Sequence, residues 1–379
     1  MADIRGQKVT PPMNAKCELI EPNYNMEQPK ISFLVAIYNV APYIERCVRS
    51  LYSQTLKEIE IILVDDCSPD DSLKIAMDVL EEYPNRKEQV VVVRHETNKG
   101  VPTTRWDGIM AASSSYVTFV DGDDYVEPNM AEVYYNKIQE NNVDMILSDI
   151  YGTIASGEAF IISPAPNGVI GNGDNVRDDT INIRVFTSAC SKLYKKSLFT
   201  EHERFWPVKG MYDDVCICAY TLSNAQSLAY VPLPLYHYCY NPTSYVSNSN
   251  INHHVKILHE IEENYAVYHS LLASKGLLER NQQGIFRFKL GAKYRMIDHV
   301  GQRKWRRLFL RTYPEINRIF LFGNKYRHPT YRERLWMLSI MLGIYHLPRV
   351  KKLIYSKRFR PRPEWSIEQV GITSIDDNR

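Results

Sequence analysis

Three aspartates occupy four positions in VTFVDGDDYVEP, residues Val117 to Pro128. Asp121, Asp123 and Asp124 follow an apolar run that reads as a core strand. Like charges this close repel, and burying them unpaired costs more still. One acid is enough to cap a helix, so the others ask for a counter-charge. A hard divalent cation, Mg²⁺ or Mn²⁺, would supply it, because such ions take one or two carboxylates and complete their shell with substrate phosphates. Asp-x-Asp on a turn can bring two carboxylates to one ion, which can then neutralise a departing diphosphate. A second acid pair, Asp65 and Asp66, stands in ILVDDCSPDDS. The pair serves equally as a cap for the next helix or as a ligand contact. Tyr38 is either a core aromatic or a face for a nucleobase, with an acid such as Asp66 accepting the base N–H. In NKGVPTTRWDG, Arg105 reads as a solvated helix residue or as a forked ligand for diphosphate, and Lys99 and Gly100 form a turn able to approach phosphate closely.

The elements that would carry these residues are legible from hydrophobic periodicity. ISFLVAI (31–37), IEIILV (59–64), QVVVVR (89–94), YVTFV (116–120) and VDMILSD (143–149) are short and rich in Val and Ile, as buried parallel strands are. APYIERCVRSLYSQ sets Ile44, Cys47, Val48 and Leu51 on one helical face, and DDSLKIAMDVLEEY and TTRWDGIMAAS supply two further helices. This alternation predicts an α/β fold, an open sheet with helices on both faces. Ligands of such sheets bind outside the carboxyl ends of the strands, which is where Tyr38, Asn39, Asp65, Asp66 and Asp121 fall. After residue 150 the pattern loosens. Residues 151–179 read as hairpin or loop, SACSKLYKKSLF and DDVCICAYTLSNA as helices, and LAYVPLPLYHYCYNPTSYV as a strand with an aromatic loop.

In this order the motifs closely resemble the family 2 glycosyltransferases of GT-A fold. The set runs Tyr-Asn after the first strand, Val-Asp-Asp-x-Ser after the second, then Asn-x-Gly…Arg, then Asp-x-Asp-Asp. The resemblance covers roughly residues 30–245. It implies a Rossmann-like open mixed sheet, Mg²⁺ or Mn²⁺, and a nucleotide-sugar donor. Tyr38 would stack on the base, usually uracil, Asp66 would accept its N–H, and Asp65 would touch base or ribose. Asn39, Lys99 and Gly100 would line the donor site, Arg105 would lie near the diphosphate, Asp123 would bind the metal with Asp121 beside it, and Asp124 would support them. The family's general base sits in an acid pair at a helix start, which points to Asp213 and Asp214 in KGMYDDVCICAYTL, with Asp214 taking the acceptor proton. Asp stands first in the pair where Glu is commoner. As a plain structural pair, the two acids would only favour a helix N-terminus. His237 and Tyr240, in LYHYCYNPTSYV, would close over diphosphate or metal, or serve structure alone. The Gln-x-x-Arg-Trp motif of the processive members is missing, so one sugar per acceptor is expected. The acceptor implied is a glycan or lipid-linked saccharide in bacterial surface polysaccharide assembly. Two other readings remain: a sugar-nucleotide binder without catalysis, which would not need Asp214, and a nucleotidyltransferase, whose Gly-rich phosphate loop AIYNVAPYIERC lacks.

The remaining composition bounds these readings. Residues 1–29 form a polar tail without a signal-peptide core, 30–248 the transferase domain (30–123 for the nucleotide, 124–248 for the acceptor), 249–365 a basic helical region and 366–379 a tail. Seven scattered cysteines, an odd number, fit a reducing compartment. Charge is uneven: residues 280–362 hold 22 Lys and Arg against three acids. The apolar run Leu335–Leu347 is 13 residues long, short of the roughly 20 that span a bilayer. Trp336, Tyr345, Arg349, Lys351, Lys352, Lys357 and Arg358 suit an interfacial helix on an anionic leaflet, whereas burial against the catalytic domain is the alternative. The expected location is cytoplasmic, peripheral on the inner face of the cytoplasmic membrane. No nucleic-acid module is recognisable, so no nucleic-acid partner is expected.

Overall fold

The Val- and Ile-rich runs pair as the sheet they predict. The computed structural model describes residues 28–153, 156, 158–244, 251–296, 303–344, 347 and 372–374. Strands β1 (Ile31–Ile37), β2 (Ile59–Asp65), β3 (Val90–Arg94) and β4 (Tyr116–Asp121) lie parallel in the order β3-β2-β1-β4. Their side chains are buried almost throughout because helices cover both faces. These helices are α1 (Ala41–Tyr52), α2 (Ser72–Leu80) and α3 (Val101–Ala111). The buried residues of α1 are Ile44, Cys47, Val48, Leu51 and Tyr52, the face expected from spacing. Register then fixes the functional edge: Ile37 lies opposite Asp65, and Ala36 opposite Asp121. Two carboxylates from different strands thus emerge at one end of the sheet.

The second half makes the sheet mixed. After β5 (Tyr125–Val126) and α4 (Met130–Asn141) comes β6 (Met145–Thr153), which forms a hairpin with β7 (Ala159–Ile162). Helix α5 (Asp174–Ile181) follows in the stretch read as loop. The helix expected over SACSKLYKKSLF is instead strand β8 (Lys192–Lys195) and a single turn α6 (Ser197–Thr200). Ser191 has φ 58, which no helix tolerates, and β8 inserts antiparallel between β4 and β6. Lys and Leu favour a helix on their own, and tertiary pairing overrides that preference. Helix α7 (Asp213–Asn224) and β9 (Leu228–Tyr238) form as read; β9 runs parallel to β6 and carries β5 antiparallel, with Tyr125 opposite His237. The strand β10 (Ile372–Ser374) pairs with β7.

Helices α8 (Ile251–Ser274), α9 (Gln282–Met296), α10 (Arg303–Arg311), α11 (Pro314–Phe322) and α12 (Tyr331–Leu342) follow. They share the core rather than hanging from it. Tyr268 of α8 donates to the Ile181 carbonyl at 2.6 Å, and Asn182 donates to Asn281 at 2.8 Å. Trp336 is 0% exposed, set against Phe309 and Phe320 with ring centroids at 5.9 and 5.6 Å. The interfacial place expected for Trp336 is therefore corrected to a core one. Tyr345, Arg349, Lys351, Lys352, Lys357 and Arg358 lie outside the described residues. Among the described residues no helix is long and apolar enough to cross a membrane.

Candidate active site

The turn after β4 holds its three acids in different surroundings. Gly122 allows the turn, since a side chain there would meet Val40 Cγ2 at 2.9 Å and the Ala36 carbonyl at 3.0 Å. Asp124 points inward, accepting from the Tyr236 hydroxyl at 2.6 Å and the Cys239 N–H at 2.7 Å. Burial, with Asp123 and Asp121 nearby, holds its carboxyl well above the usual range. Asp123 accepts from Asn241 Nδ2 at 2.8 Å, while its carbonyl takes Arg46 Nη2 at 2.9 Å. Burial and then Asp121 raise Asp123 as well. Asp121 accepts from Arg105 Nη2 at 2.9 Å and from the Cys190 thiol at 3.5 Å.

Arg105 is the hub of the site. It is 5% exposed on α3, and its other terminal nitrogen donates to Asp213 at 2.5 Å and to Asp214 at 3.3 Å. Arg105, the residue expected near the diphosphate, engages aspartates with its two terminal nitrogens. One guanidinium therefore ties the acids after β4 to the acids that begin α7. Asp213 is buried, and desolvation pushes its carboxyl up against the pull of Arg105. Asp214 is more open and is held through Oδ1 by the Ala189 N–H at 3.0 Å as well as by Arg105. Both acids occupy the first turn of α7, where the helix dipole favours negative charge.

At the other end of the edge, Tyr38 is exposed directly after β1, and Asn39 (φ 55) binds Ser68 through its N–H at 2.8 Å. Asp65 ends β2 half-buried and accepts from the Ser68 N–H at 3.1 Å; burial raises its carboxyl. Asp66 is 2% exposed. Its oxygens accept from His95 Nδ1 at 2.7 Å, Lys99 N–H at 2.7 Å and Gly100 N–H at 2.8 Å. Asp66, the residue expected to accept a base N–H, anchors the loop before α3 through these bonds. Gly100 has φ +85 there, a conformation that favours glycine, and the Lys99 ammonium lies 3.6 Å from Asp107. His237, opposite Tyr125 just after the turn, stacks between Tyr125 and Tyr151, centroids at 4.1 and 4.8 Å, and bonds Glu127 at 2.6 Å. Tyr240 is exposed, its N–H bound to Thr153.

Reading the sequence missed Tyr236, Cys190, Asn241 and His95. Tyr236 and Asn241 had a signal, the alternation and Asn-Pro turn of LYHYCYNP; Cys190 and His95 had none. Asn264 of α8 was also missed. It donates to the Lys209 and Met211 carbonyls at 2.7 and 2.8 Å and accepts from the Val208 N–H at 3.0 Å, fixing the loop that enters α7.

Three aspartates, Asp121, Asp213 and Asp214, share the Arg105 guanidinium, and Arg46 is the second arginine beside the cluster. Among the described residues no three His, Cys, Asp or Glu side chains form a metal cage. Two hard carboxylates, Asp121 and Asp123, do suit Mg²⁺ or Mn²⁺ completed by substrate phosphates. Residues 32–202 match the family model "Glycosyl transferase family 2". That stretch is similar in sequence to the family 2 glycosyltransferases. The acid pair 213–214 lies beyond it. EpsH of Bacillus subtilis (strain 168) is 31% identical over 223 residues, 56% of this chain and 61% of EpsH. The poly(ribitol-phosphate) beta-glucosyltransferase of Bacillus spizizenii is 35% identical over 191 residues, 49% of this chain and 28% of that protein. The chain thus spans less than two thirds of the length of either relative. The S. aureus TarS 1-349 structure in complex with UDP-GlcNAc superposes with a TM-score of 0.47 at 21% identity, over 88% of this chain and 93% of that one.

Proposed function

We propose that the protein transfers one sugar, with inversion, from a nucleotide-diphosphate sugar to a hydroxyl of a glycan or lipid-linked saccharide, with a UDP-sugar as donor. The observation that carries this reading is the Arg105 hub, which brings the metal-type acids and the base-type acids together at one sheet edge. Tyr38 stacks on the base, Asp66 accepts the base N–H, and Asp65, the more open acid of the pair, touches base or ribose. Asp123 and Asp121 hold the cation, which when bound neutralises the leaving diphosphate. Asp214 takes the acceptor proton: it is the accessible member of its pair, and two donors fix one of its oxygens while the carboxylate stays open to the site. Asp213 and Arg105 hold Asp214 in place. The family 2 match and the relatives named as glycosyltransferases support the reaction class.

The test is a screen of UDP- and GDP-sugars reading released nucleotide. Wild type releases UDP with added glycan, and Asp123→Asn and Asp214→Asn each lower turnover about 100-fold or more. Full activity in both variants sinks the proposal. For the anionic membrane surface, support comes from the exposed side chains Leu338, Met341 and Leu342 on α12, with Arg332 and Arg334 exposed on the same helix. Flotation with phosphatidylserine vesicles recovers the wild type, and Leu338→Glu/Leu342→Glu lowers recovery; equal recovery rejects it.

A further inference from the structure

β9 passes the acid cluster and continues to the mouth of the site. Side chains two residues apart share one face of a strand, so Tyr236 and Tyr238 point to the same side. Tyr236 is buried beneath the cluster, its hydroxyl on Asp124 and receiving the Asp121 N–H at 3.2 Å. Tyr238 is one step further out and 42% exposed, a large aromatic ring left open beside the acid cluster. Asp124, Asp121, Asp214 and Asp123 all lie within electrostatic reach of its hydroxyl. Phe186 meets its ring edge-on, centroids 6.3 Å apart at 61°. Phe186 belongs to the segment whose Ala189 N–H holds Asp214 and whose Cys190 thiol touches Asp121.

We propose that Tyr238, braced by Phe186, is a shelf for a pyranose ring of the acceptor glycan. The apolar C–H face of the sugar lies on the tyrosine ring, and the reacting hydroxyl is thereby turned toward Asp214. An acceptor fits better than the donor because the nucleotide end of the site, Tyr38 and Asp65, sits at β1 and β2, whereas the shelf adjoins the segment that holds the base. The charged cluster explains why the shelf is aromatic: a ring adds contact area without another charge. The inference rests on the transferase reading above, and its test separates the two.

Saturation-transfer NMR with methyl β-D-glucopyranoside, cellobiose and lactose reads the shelf directly, and calorimetry with UDP and Mn²⁺ reads the donor site. Wild type gives transfer to the ring C–H protons of at least one glycoside. Tyr238→Phe keeps it, Tyr238→Ala weakens it about 3- to 10-fold, as lost stacking on one ring requires, and UDP affinity stays within about twofold. Tyr238→Phe also reports whether the ring alone, without its hydroxyl, suffices. No glycoside signal in wild type, an unchanged signal in Tyr238→Ala, or an equal loss of UDP affinity overturns the shelf. Glycoside binding that depends on Tyr238 without any UDP binding leaves the shelf standing and refutes the transferase reading instead.

Discussion

Replacing Arg105 by Met tests whether one buried guanidinium joins the two acid groups. The substitution keeps side-chain volume and removes the charge. Asp213, buried and 2.5 Å from the guanidinium, loses that cation, and breaking such a pair typically costs about 3–5 kcal/mol. Asp121 and Asp214 are about a third exposed, so water screens them and each adds at most about 1 kcal/mol. Asp213 therefore dominates the loss, and pH should control it. Burial raises its carboxyl in the fold above the ordinary aspartate value of 3.8, so the stability tied to its proton is complete below that value and disappears as pH rises through the folded value. Without Arg105 that folded value climbs further. Urea unfolding at about pH 8.5 should show the full loss of about 3–5 kcal/mol, and at about pH 5.5 a smaller one, because a proton replaces the guanidinium. Arg105→Met/Asp213→Asn should recover most of the loss by removing the stranded charge. A single variant that loses less than about 1 kcal/mol at high pH, or a double variant no more stable than the single, refutes the hub.

Two further outcomes follow from buried contacts. Asn264→Ala strands the Val208 N–H and the Lys209 and Met211 carbonyls; it should cost about 3 kcal/mol in urea and lower turnover more than donor affinity, since the loop it holds leads to Asp214, and unchanged turnover in the folded variant would remove that role. His95 faces Asp66 at 2.7 Å and Asp107 at 3.0 Å, so both ring nitrogens donate and the imidazolium is the stable form. Burial works against that charge, but hydrogen bonds to Asp107 and Asp66 prevail and raise its titration, with Asp66 adding attraction and Lys99 opposing; Asp65 and Arg94 are the other charges near it. The stability lost in His95→Asn should be largest below the ordinary histidine value of 6.5 and fade as pH rises through the raised one, and a pH-independent difference would disprove the protonated pin.

Much of the first half was legible because its signals are local. Five Val- and Ile-rich runs must be buried, and acids at their ends must lie on one edge, whatever the details of packing. Side-chain direction was not legible. Asp65 and Asp66 are adjacent, so alternation sends them to opposite sides, and nothing in the sequence says which faces the ligand. The answer depends on His95 and on the backbone of Lys99 and Gly100, some thirty residues later in the chain. The partners of Arg105 were hidden for the same reason, since Asp213 and Asp214 stand more than a hundred residues away. The strand at Lys192–Lys195 defied local propensity because pairing on both sides, to β4 and β6, outweighs the helix preference of Lys and Leu.

The basic C-terminal region takes on a different meaning once its contacts are known. Its charge made it look like an arm with its own environment. Yet α8 sends Asn264 into the loop before α7, and α9 sets Phe288 edge-on against Tyr212, with centroids 5.1 Å apart, at the residue immediately before Asp213. Tyr212 has φ 64, a strained backbone that persists only when its surroundings insist on it. The helices therefore do two kinds of work with different faces. Their inner side fixes the start of α7 and with it the direction of Asp214, and their outer side keeps the charge. Asn264 and Phe288 thus tie α8 and α9 to the loop and the residue that precede Asp213.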